Sequence, residues 1–220
     1  MDAPDQNESP TEGVIRFQLE YRQTPLPEWA DPTAIITWFR RCRALGGIGR
    51  YPPDRYHGAA FGNISERGQE GFLITGTQTG GKDHLTDQDI AWVRSVDVAN
   101  NRVVAKGPAK PSSESLSHGQ IYALHPGTRF VIHIHDALLW HQAESLQLPL
   151  TDPAAEYGTP AMAREVERVM ALPETLCSGA FAMGGHEDGI VIFGDDAEQA
   201  GIRLLRLYRR ACHPAAEPTD

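Results

Sequence analysis

Two histidines, His133 and His135, stand two positions apart at the end of an apolar, β-branched run that begins at Arg129. Such a run predicts a buried strand, and side chains two apart on a strand point to the same face. Two converging imidazoles supply half of a metal site, because a catalytic zinc ion takes about three protein ligands and keeps one open position. The pair is equally consistent with two core histidines that are hydrogen-bonded to the backbone.

Two further residues are candidates for completing a metal site. His186 lies in a glycine-rich turn between two apolar runs, 179–183 and 189–193. A turn at strand ends is a place where a sheet presents a ligand. Glu114 precedes a segment with helical spacing and can reach the same face from a flanking loop. Together the four residues offer three neutral nitrogens and one carboxylate.

Two stretches have the chemistry of an anion site. The loop 75–81 combines threonines with glycines that let backbone N–H groups approach an anion, although most such loops are ordinary turns. Ser112 and Ser113 precede the predicted helix that carries Leu116 and Ile121, and a helix N-terminus suits a phosphate or carboxylate. Simple N-capping explains the two serines equally well.

The elements that must position these residues alternate along the chain. Period-two patterns and turn residues predict strands, and 3.6-residue spacing with N-terminal caps and prolines predicts helices. The main predicted strands are 14–21, 71–75, 90–98, 102–106 and 189–193, and the main predicted helices are 31–46, 137–145, 159–170 and a last one that Asp195 caps and that runs to Arg210. This alternation implies a layered α/β protein.

Length and composition predict one domain. The chain has 220 residues with 40% hydrophobic content, enough for one sizeable core. Residues 13–212 are predicted to form this domain, and the ends, 1–12 and 213–220, are predicted to be disordered because they are rich in Pro, Asp and Glu.

Charge and cysteine content limit the classes of binding partner and the cellular compartment that are expected. A formal net charge of −9 gives no basic surface for nucleic acid or an anionic membrane. Three cysteines without a paired motif favour reduced thiols in a cytoplasm over a disulfide framework. The start has no signal-peptide pattern, and no apolar run reaches the length of a membrane span.

The order and spacing of the motifs resemble the class II aldolase/adducin family, which includes fuculose-phosphate aldolase and ribulose-phosphate epimerase. The resemblance spans about residues 61–207. The motifs that carry it are Gly62-Asn63-Ile64-Ser65, Phe72–Thr75, Leu85-Thr86, Ser112-Ser113-Glu114, His133-Ile134-His135, Gly185-His186 and Val191–Gly194.

The resemblance implies a three-layer α/β/α sandwich around a mixed β-sheet, assembled as a homotetramer with active sites at subunit interfaces. It implies that His133, His135 and His186 bind a divalent metal, most often zinc, with Mn²⁺, Co²⁺, Ni²⁺ or Fe²⁺ as alternatives, and that Glu114 is the acid/base residue. It further implies a substrate-phosphate site. The residues at its positions are Asn63, Ser112, Ser113, Thr79 and Gly80, with Thr77 as an alternative to Thr79.

The expected activity is a lyase reaction, the reversible aldol cleavage of a small hydroxy-carbonyl compound such as a sugar phosphate. A metal chelated by the substrate would stabilise the enediolate that forms when a carbon–carbon bond breaks beside a carbonyl. Glu114 would move the proton at that carbon. Epimerase, dehydratase or decarboxylase chemistry can use the same site.

Several neighbours of the proposed ligands are acidic or able to transfer a proton. Asp136, Glu187 and Asp188 place three carboxylates near the histidines, which disfavours a phosphate dianion, and Asp136 is alternatively a partner that orients a histidine. His118, four residues after Glu114, either braces that carboxylate or packs in a structural role. The candidate proton donors are Tyr157, Tyr208 and His141, each of which is also explained as a structural or surface residue.

Two other classes of protein compete with the enzyme prediction. A cupin-type oxygenase also uses a His-x-His pair, but its pattern wants a glutamate three or four residues later, where this chain has Leu139 and Trp140. Cupins are also nearly all β, whereas several helices are predicted here. A non-catalytic, adducin-like binding protein should have lost metal ligands, and this chain has all three histidines and Glu114.

Overall fold

A computed structural model describes residues 13–213, so the predicted tail at 1–12, and the predicted tail at 213–220 apart from His213, lie outside the described residues. The described part contains ten strands and six α-helices. The strands are β1 (Gln18–Gln23), β2 (Gly49–Arg50), β3 (Ala60–Phe61), β4 (Asn63–Arg67), β5 (Phe72–Thr75), β6 (Ile90–Asp97), β7 (Arg102–Gly107), β8 (Phe130–His135), β9 (Ala180–Ala182) and β10 (Gly189–Gly194). The helices are α1 (Thr33–Ala44), α2 (Ser115–Leu124), α3 (Ala137–His141), α4 (Pro160–Met170), α5 (Pro173–Ser178) and α6 (Ala197–Cys212).

Eight of the strands in residues 13–213 form one mixed sheet in the order β1-β7-β6-β5-β4-β8-β10-β9. The pair β1 and β7 is parallel, and the other neighbours are antiparallel. Strand β8 therefore lies inside the sheet between β4 and β10, with its backbone paired on both sides.

Helices cover both faces of the sheet and make two separate cores. Phe130, Ile132 and Ile134 of β8 point into the core that contains α1 and α6, whereas Val131 points into the core that contains α2 and α4. By the period-two rule, His133 and His135 share the face of Val131. The predicted three-layer α/β/α class is confirmed, and its layering places the histidine pair beneath α2.

Most element predictions are confirmed, with differences at the ends. Helix α4 begins where predicted, because the Thr159 hydroxyl accepts from the Met162 amide and a proline opens the first turn. The last helix is capped by Asp196, whose carboxylate accepts from Gln199 N at 2.7 Å, so the prediction of Asp195 is wrong by one residue. Helix α3 ends at His141, four residues earlier than predicted.

None of the helices within residues 13–213 is long and apolar enough to cross a membrane.

Candidate metal centre

The three predicted metal ligands come together at one end of β8. His133 and His135 lie on that strand, and His186 lies in the turn between β9 and β10. All three are buried, and one ring nitrogen of each lies within 4.8 Å of the others. Strand alternation explains the first pair, and the antiparallel pairing of β8 with β10 brings the turn of His186 alongside.

Glu114, immediately before α2, fills the space between two of these histidines. Its Oε2 atom lies 3.0 Å from Nε2 of His133, and its Oε1 atom lies 3.0 Å from Nδ1 of His186. The side-chain amide of Asn63 donates to Oε2 at 2.8 Å. Asn63 reaches this point because it pairs with His133 in the register of β4 and β8.

The electrostatics of the cluster favour an ionised carboxylate beside a neutral imidazole. Burial opposes the charge on Glu114, but positive charge on His133 and His186, when they are protonated, outweighs burial and holds its pKa well below the usual range. Burial, together with the neighbouring His186 and His133, lowers the pKa of His135 well below its usual value. A neutral imidazole is the form that binds a metal.

The hydrogen bonds of the cluster fit a divalent cation. Nδ1 of His133 lies 3.2 Å from the carbonyl oxygen of Ile190, which can only accept, so Nδ1 carries the proton. If the His133 ring is neutral, the lone pair of Nε2 faces the negative Glu114 oxygen, which is repulsive. A divalent cation bound at Nε2 would remove this repulsion. His135 Nε2 is buried and has no hydrogen-bond partner among residues 13–213. The triad can therefore hold a metal ion, and nitrogen ligands suit zinc and its first-row neighbours.

The predicted substrate-binding residues lie in two groups. Ser112 and Ser113 are buried directly before α2, where the Ser112 hydroxyl accepts from the Glu114 amide at 3.3 Å. Neither serine caps α2, because the residue at the cap position is Glu114 itself. The N-capping explanation is therefore not supported, and the position before the helix remains a candidate anion site.

The glycine-rich loop holds the other group. The Thr79 hydroxyl is buried and donates to the carbonyl of Gly76 at 2.7 Å, whereas the alternative, Thr77, donates to the carbonyl of Gly13 at 3.3 Å. A side chain at Gly80 would meet the backbone of β2 and β3, with the carbonyl oxygen of Gly49 only 2.8 Å from the added Cβ. Gly80 thus permits close packing of the backbone, whatever it binds.

The acidic neighbours of the histidines have partners elsewhere. Asp136 caps α3 by accepting from Leu139 N at 2.9 Å, and its other oxygen accepts from the Tyr208 hydroxyl at 2.6 Å. It does not orient a histidine, so that alternative is wrong. Asp188 and Glu187 both pair with Arg55, at 2.9 and 3.2 Å. The expected repulsion of a phosphate dianion is therefore partly offset by an arginine that was not predicted to be near the site.

The remaining histidine and tyrosine candidates separate by position. His118 is fully buried and its Nδ1 contacts the Ser65 hydroxyl at 2.7 Å, which supports the packed role over bracing of Glu114. Tyr157 stacks on His186, with ring centroids 4.7 Å apart, and stays beside the metal centre as a candidate proton donor. The Tyr208 hydroxyl donates a hydrogen bond to Asp136, and His141 is exposed at the end of α3. Both positions agree with the structural or surface explanation of these two residues.

Besides Arg55, Tyr51 was not predicted from the sequence to lie at the site. The hydroxyl oxygen of the buried Tyr51 lies 2.6 Å from Nδ1 of His135. It belongs to a loop with two prolines and no periodic pattern, so nothing in the sequence indicated which face its side chain would reach.

Comparison with known proteins points to one family. The sequence of residues 51–213 matches the family model of the Class II Aldolase and Adducin N-terminal domain. The chain is also similar to the methylthioribulose-1-phosphate dehydratase of Enterobacter sp. (strain 638), with 35% identity over 94 residues. That match spans 43% of this chain and 41% of the dehydratase, less than half of each.

Solved structures share the fold at low sequence identity. The L-fuculose-1-phosphate aldolase of Thermus thermophilus has a TM-score of 0.52 and 22% identity over 83% of this chain and 97% of its own. YgbL of Klebsiella pneumoniae, provisionally described as an aldolase/epimerase/decarboxylase, has a TM-score of 0.56 and 16% identity over 83% of this chain and 89% of its own. At these identities the likeness shows the fold.

Proposed function

Because the chain belongs to the class II aldolase and adducin family, we propose that it is a metal-dependent lyase acting on a small hydroxy-carbonyl compound. In this proposal His133, His135 and His186 hold the metal, and Glu114 is the acid/base residue. The observation that carries it is the buried Glu114 carboxylate, held 3.0 Å from both His133 and His186.

The chemistry divides between the metal and the protein. A divalent metal at the triad would act as a Lewis acid toward oxygens of the substrate. Glu114 is proposed to accept a proton from a substrate hydroxyl or from a carbon beside a carbonyl, and to return it later. Asn63 donates a hydrogen bond to the carboxylate and thereby fixes the position of the accepting oxygen.

The first candidate reaction is aldol cleavage. The hydroxyl on one side of the breaking carbon–carbon bond gives its proton to Glu114 as its own carbon becomes a carbonyl, and Glu114 then delivers that proton to the carbon beside the other carbonyl. Ser112, Ser113, Asn63, Thr79 and Gly80 are proposed to bind the anionic end of the substrate. The two buried serines support this role best, because Thr79 and Asn63 already donate hydrogen bonds within the protein.

The second candidate reaction is dehydration, which the 35% identity to a dehydratase favours. It needs the same base, since removal of a proton beside a carbonyl precedes loss of a hydroxide from the next carbon. The two reactions differ in the bond that breaks afterwards. Epimerase and decarboxylase chemistry are alternatives that would use the same site. The proposal also includes zinc as the metal, assembly as a homotetramer and a cytoplasmic location.

Metal content tests the proposal first. Protein purified without a histidine tag should contain close to one metal ion per subunit by plasma mass spectrometry, and the His133→Ala, His135→Ala double variant should contain none. His84→Ala removes an exposed histidine outside the triad and should leave the content unchanged. Wild-type protein that is metal-free and cannot be loaded would instead support an adducin-like binding protein.

Product analysis then separates the two reactions. The metal-loaded protein is incubated with ketose 1-phosphates and with unphosphorylated hydroxy-carbonyl compounds. Aldol cleavage gives two smaller carbonyl products, whereas dehydration gives one product that is lighter by one water, and mass spectrometry distinguishes them. The mass of the assembly, measured by light scattering, tests the homotetramer.

A further inference from the structure

The segment between β2 and β3 places Tyr51 against the metal centre. Its hydroxyl oxygen lies 2.6 Å from Nδ1 of His135, and its ring packs on Phe61 with centroids 4.5 Å apart. The ring of His135 meets Tyr51 edge-on at 80°. Only 7% of Tyr51 is exposed, so the contact with His135 is shielded from water.

Arg55 holds this segment against the opposite side of the centre. Its guanidinium lies 4.6 Å from the centroid of the Tyr51 ring, and the same group pairs with Asp188 at 2.9 Å. Asp188 lies two residues after His186. One short loop therefore contacts His135 through Tyr51 and the turn of His186 through Arg55.

We propose that Tyr51 is a positioning residue that prepares His135 to bind the metal through Nε2. This inference rests on the proposed metal site. Neutral imidazole has one N–H and one lone pair, so the partner of one nitrogen decides the state of the other. When the Tyr51 oxygen accepts from Nδ1–H, the lone pair stays on Nε2. That atom is the buried nitrogen of His135 with no hydrogen-bond partner in the described chain.

His133 has the same arrangement with a different acceptor. Its Nδ1 lies 3.2 Å from the carbonyl oxygen of Ile190, and its Nε2 points into the centre. Both proposed ligands on this strand thus have Nδ1 beside an oxygen, with Nε2 of His133 facing Glu114 and Nε2 of His135 buried. A backbone carbonyl orients one ring, and a phenol orients the other. Oxygen partners of this kind typically change metal affinity by about 10- to 100-fold when removed.

Tyr51→Phe tests the proposal, because phenylalanine keeps the packing on Phe61 and removes only the oxygen. We expect it to bind Zn²⁺ about 10- to 100-fold more weakly than wild type in a competition with a chromophoric chelator. The absorption spectrum of the Co²⁺-loaded protein should change as well. Tyr56→Phe is the matched control, since Tyr56 packs on Tyr51 at 4.9 Å but its hydroxyl donates to Glu187 at 2.8 Å.

The outcomes separate this inference from the proposed function. Equal affinity of Tyr51→Phe and wild type, or equal weakening by Tyr51→Phe and Tyr56→Phe, would overturn the role of the Tyr51 oxygen. Wild-type protein that binds no Zn²⁺ would overturn the proposed function instead. A further measurement needs no Tyr51 variant. Long-range ¹H–¹⁵N spectra of the metal-free wild type, assigned with His135→Asn, should show the proton of His135 on Nδ1, and a proton on Nε2 would contradict the inference.

Discussion

Nε2 of His133 lies 3.0 Å from Oε2 of Glu114, and both side chains are buried. Replacing Glu114 by Gln keeps the shape of the side chain but removes its basicity, so we expect turnover to fall by about 10²- to 10⁴-fold while the metal is retained. Steady-state kinetics and metal analysis on the same preparation check both parts. Glu66→Gln, a change at a partly buried carboxylate on β4, is the control. Unchanged turnover in Glu114→Gln would remove Glu114 from the proposed chemistry.

Acid should destabilise the protein through His118. Burial lowers the pKa of His118 from 6.5 to about 3 in the folded state. Between about pH 6.5 and 3, His118 is therefore protonated in the unfolded chain but not in the folded protein. This contribution to stability is complete above pH 6.5 and is lost as the pH falls from there toward 3, at about 1.4 kcal/mol per pH unit.

His118→Gln should flatten this dependence because glutamine does not titrate. The measurement is the free energy of unfolding in urea between pH 7.5 and 4.5, as rough limits, with a chelator present so that metal release does not contribute. As the pH falls, the free energy of unfolding should decrease less steeply for the variant than for wild type. The difference in slope should correspond to at most one proton, about 1.4 kcal/mol per pH unit. Parallel curves for the two proteins would show that His118 titrates normally.

The meeting of the histidine pair could be predicted from the sequence because both residues lie on one regular strand. The alternation of β8 predicts that His133 and His135 converge, and the helix start of α2 predicts where Glu114 stands. Tyr51 and Arg55 could not be predicted, since their loop has no period and their contacts join residues 84 and 133 positions apart in the chain. The cap of α6 was misplaced because two adjacent aspartates have equal local propensity, and only the hydrogen bond of Asp196 to Gln199 decides between them.

Tyr208 should contribute to stability and not to catalysis. Its hydroxyl donates to Asp136 at 2.6 Å and thereby joins α6 to the start of α3. A hydrogen bond to a charged group is typically worth about 1.5–3 kcal/mol, and this pair is only partly buried, so Tyr208→Phe should cost an amount near the lower value. Urea unfolding and kinetics of the same variant test both statements. A large loss of turnover in Tyr208→Phe, with little loss of stability, would make Tyr208 the proton donor.

Gly80 and its neighbour Gly81 should respond differently to alanine. A methyl group at Gly80 would meet backbone carbonyls of β2 and β3, whereas one at Gly81 would meet the side chain of Arg50, which can move. We expect Gly80→Ala to destabilise the protein by about 1–3 kcal/mol and Gly81→Ala by less. Thermal unfolding compares them. Equal effects would indicate that the loop backbone shifts to accommodate the methyl group. The substrate affinity of the variants that stay folded then tests the proposed role of Gly80 in substrate binding.

The three cysteines should differ in reactivity. Cys42 is buried, and burial raises the pKa of its thiol to about 12, whereas Cys177 and Cys212 are exposed. A disulfide reagent should therefore modify two thiols in the native protein and three in denaturant. The count of thionitrobenzoate released measures this difference, with Cys42→Ser as the control that gives two under both conditions. Three fast thiols in the native state would contradict the packing of Cys42 against the sheet.

The central position of β8 also bears on how binding is coupled to folding. Its amides and carbonyls are paired with β4 on one side and β10 on the other, so this segment should exchange its amide hydrogens only through global unfolding. Two of the proposed ligands thus stand on the part of the chain that opens most rarely. A zinc finger folds around its ion, whereas β8 is held by strand pairing and by two apolar cores, so we expect this fold to form without the ion. Chelation should therefore remove activity and leave the exchange pattern of β8 intact.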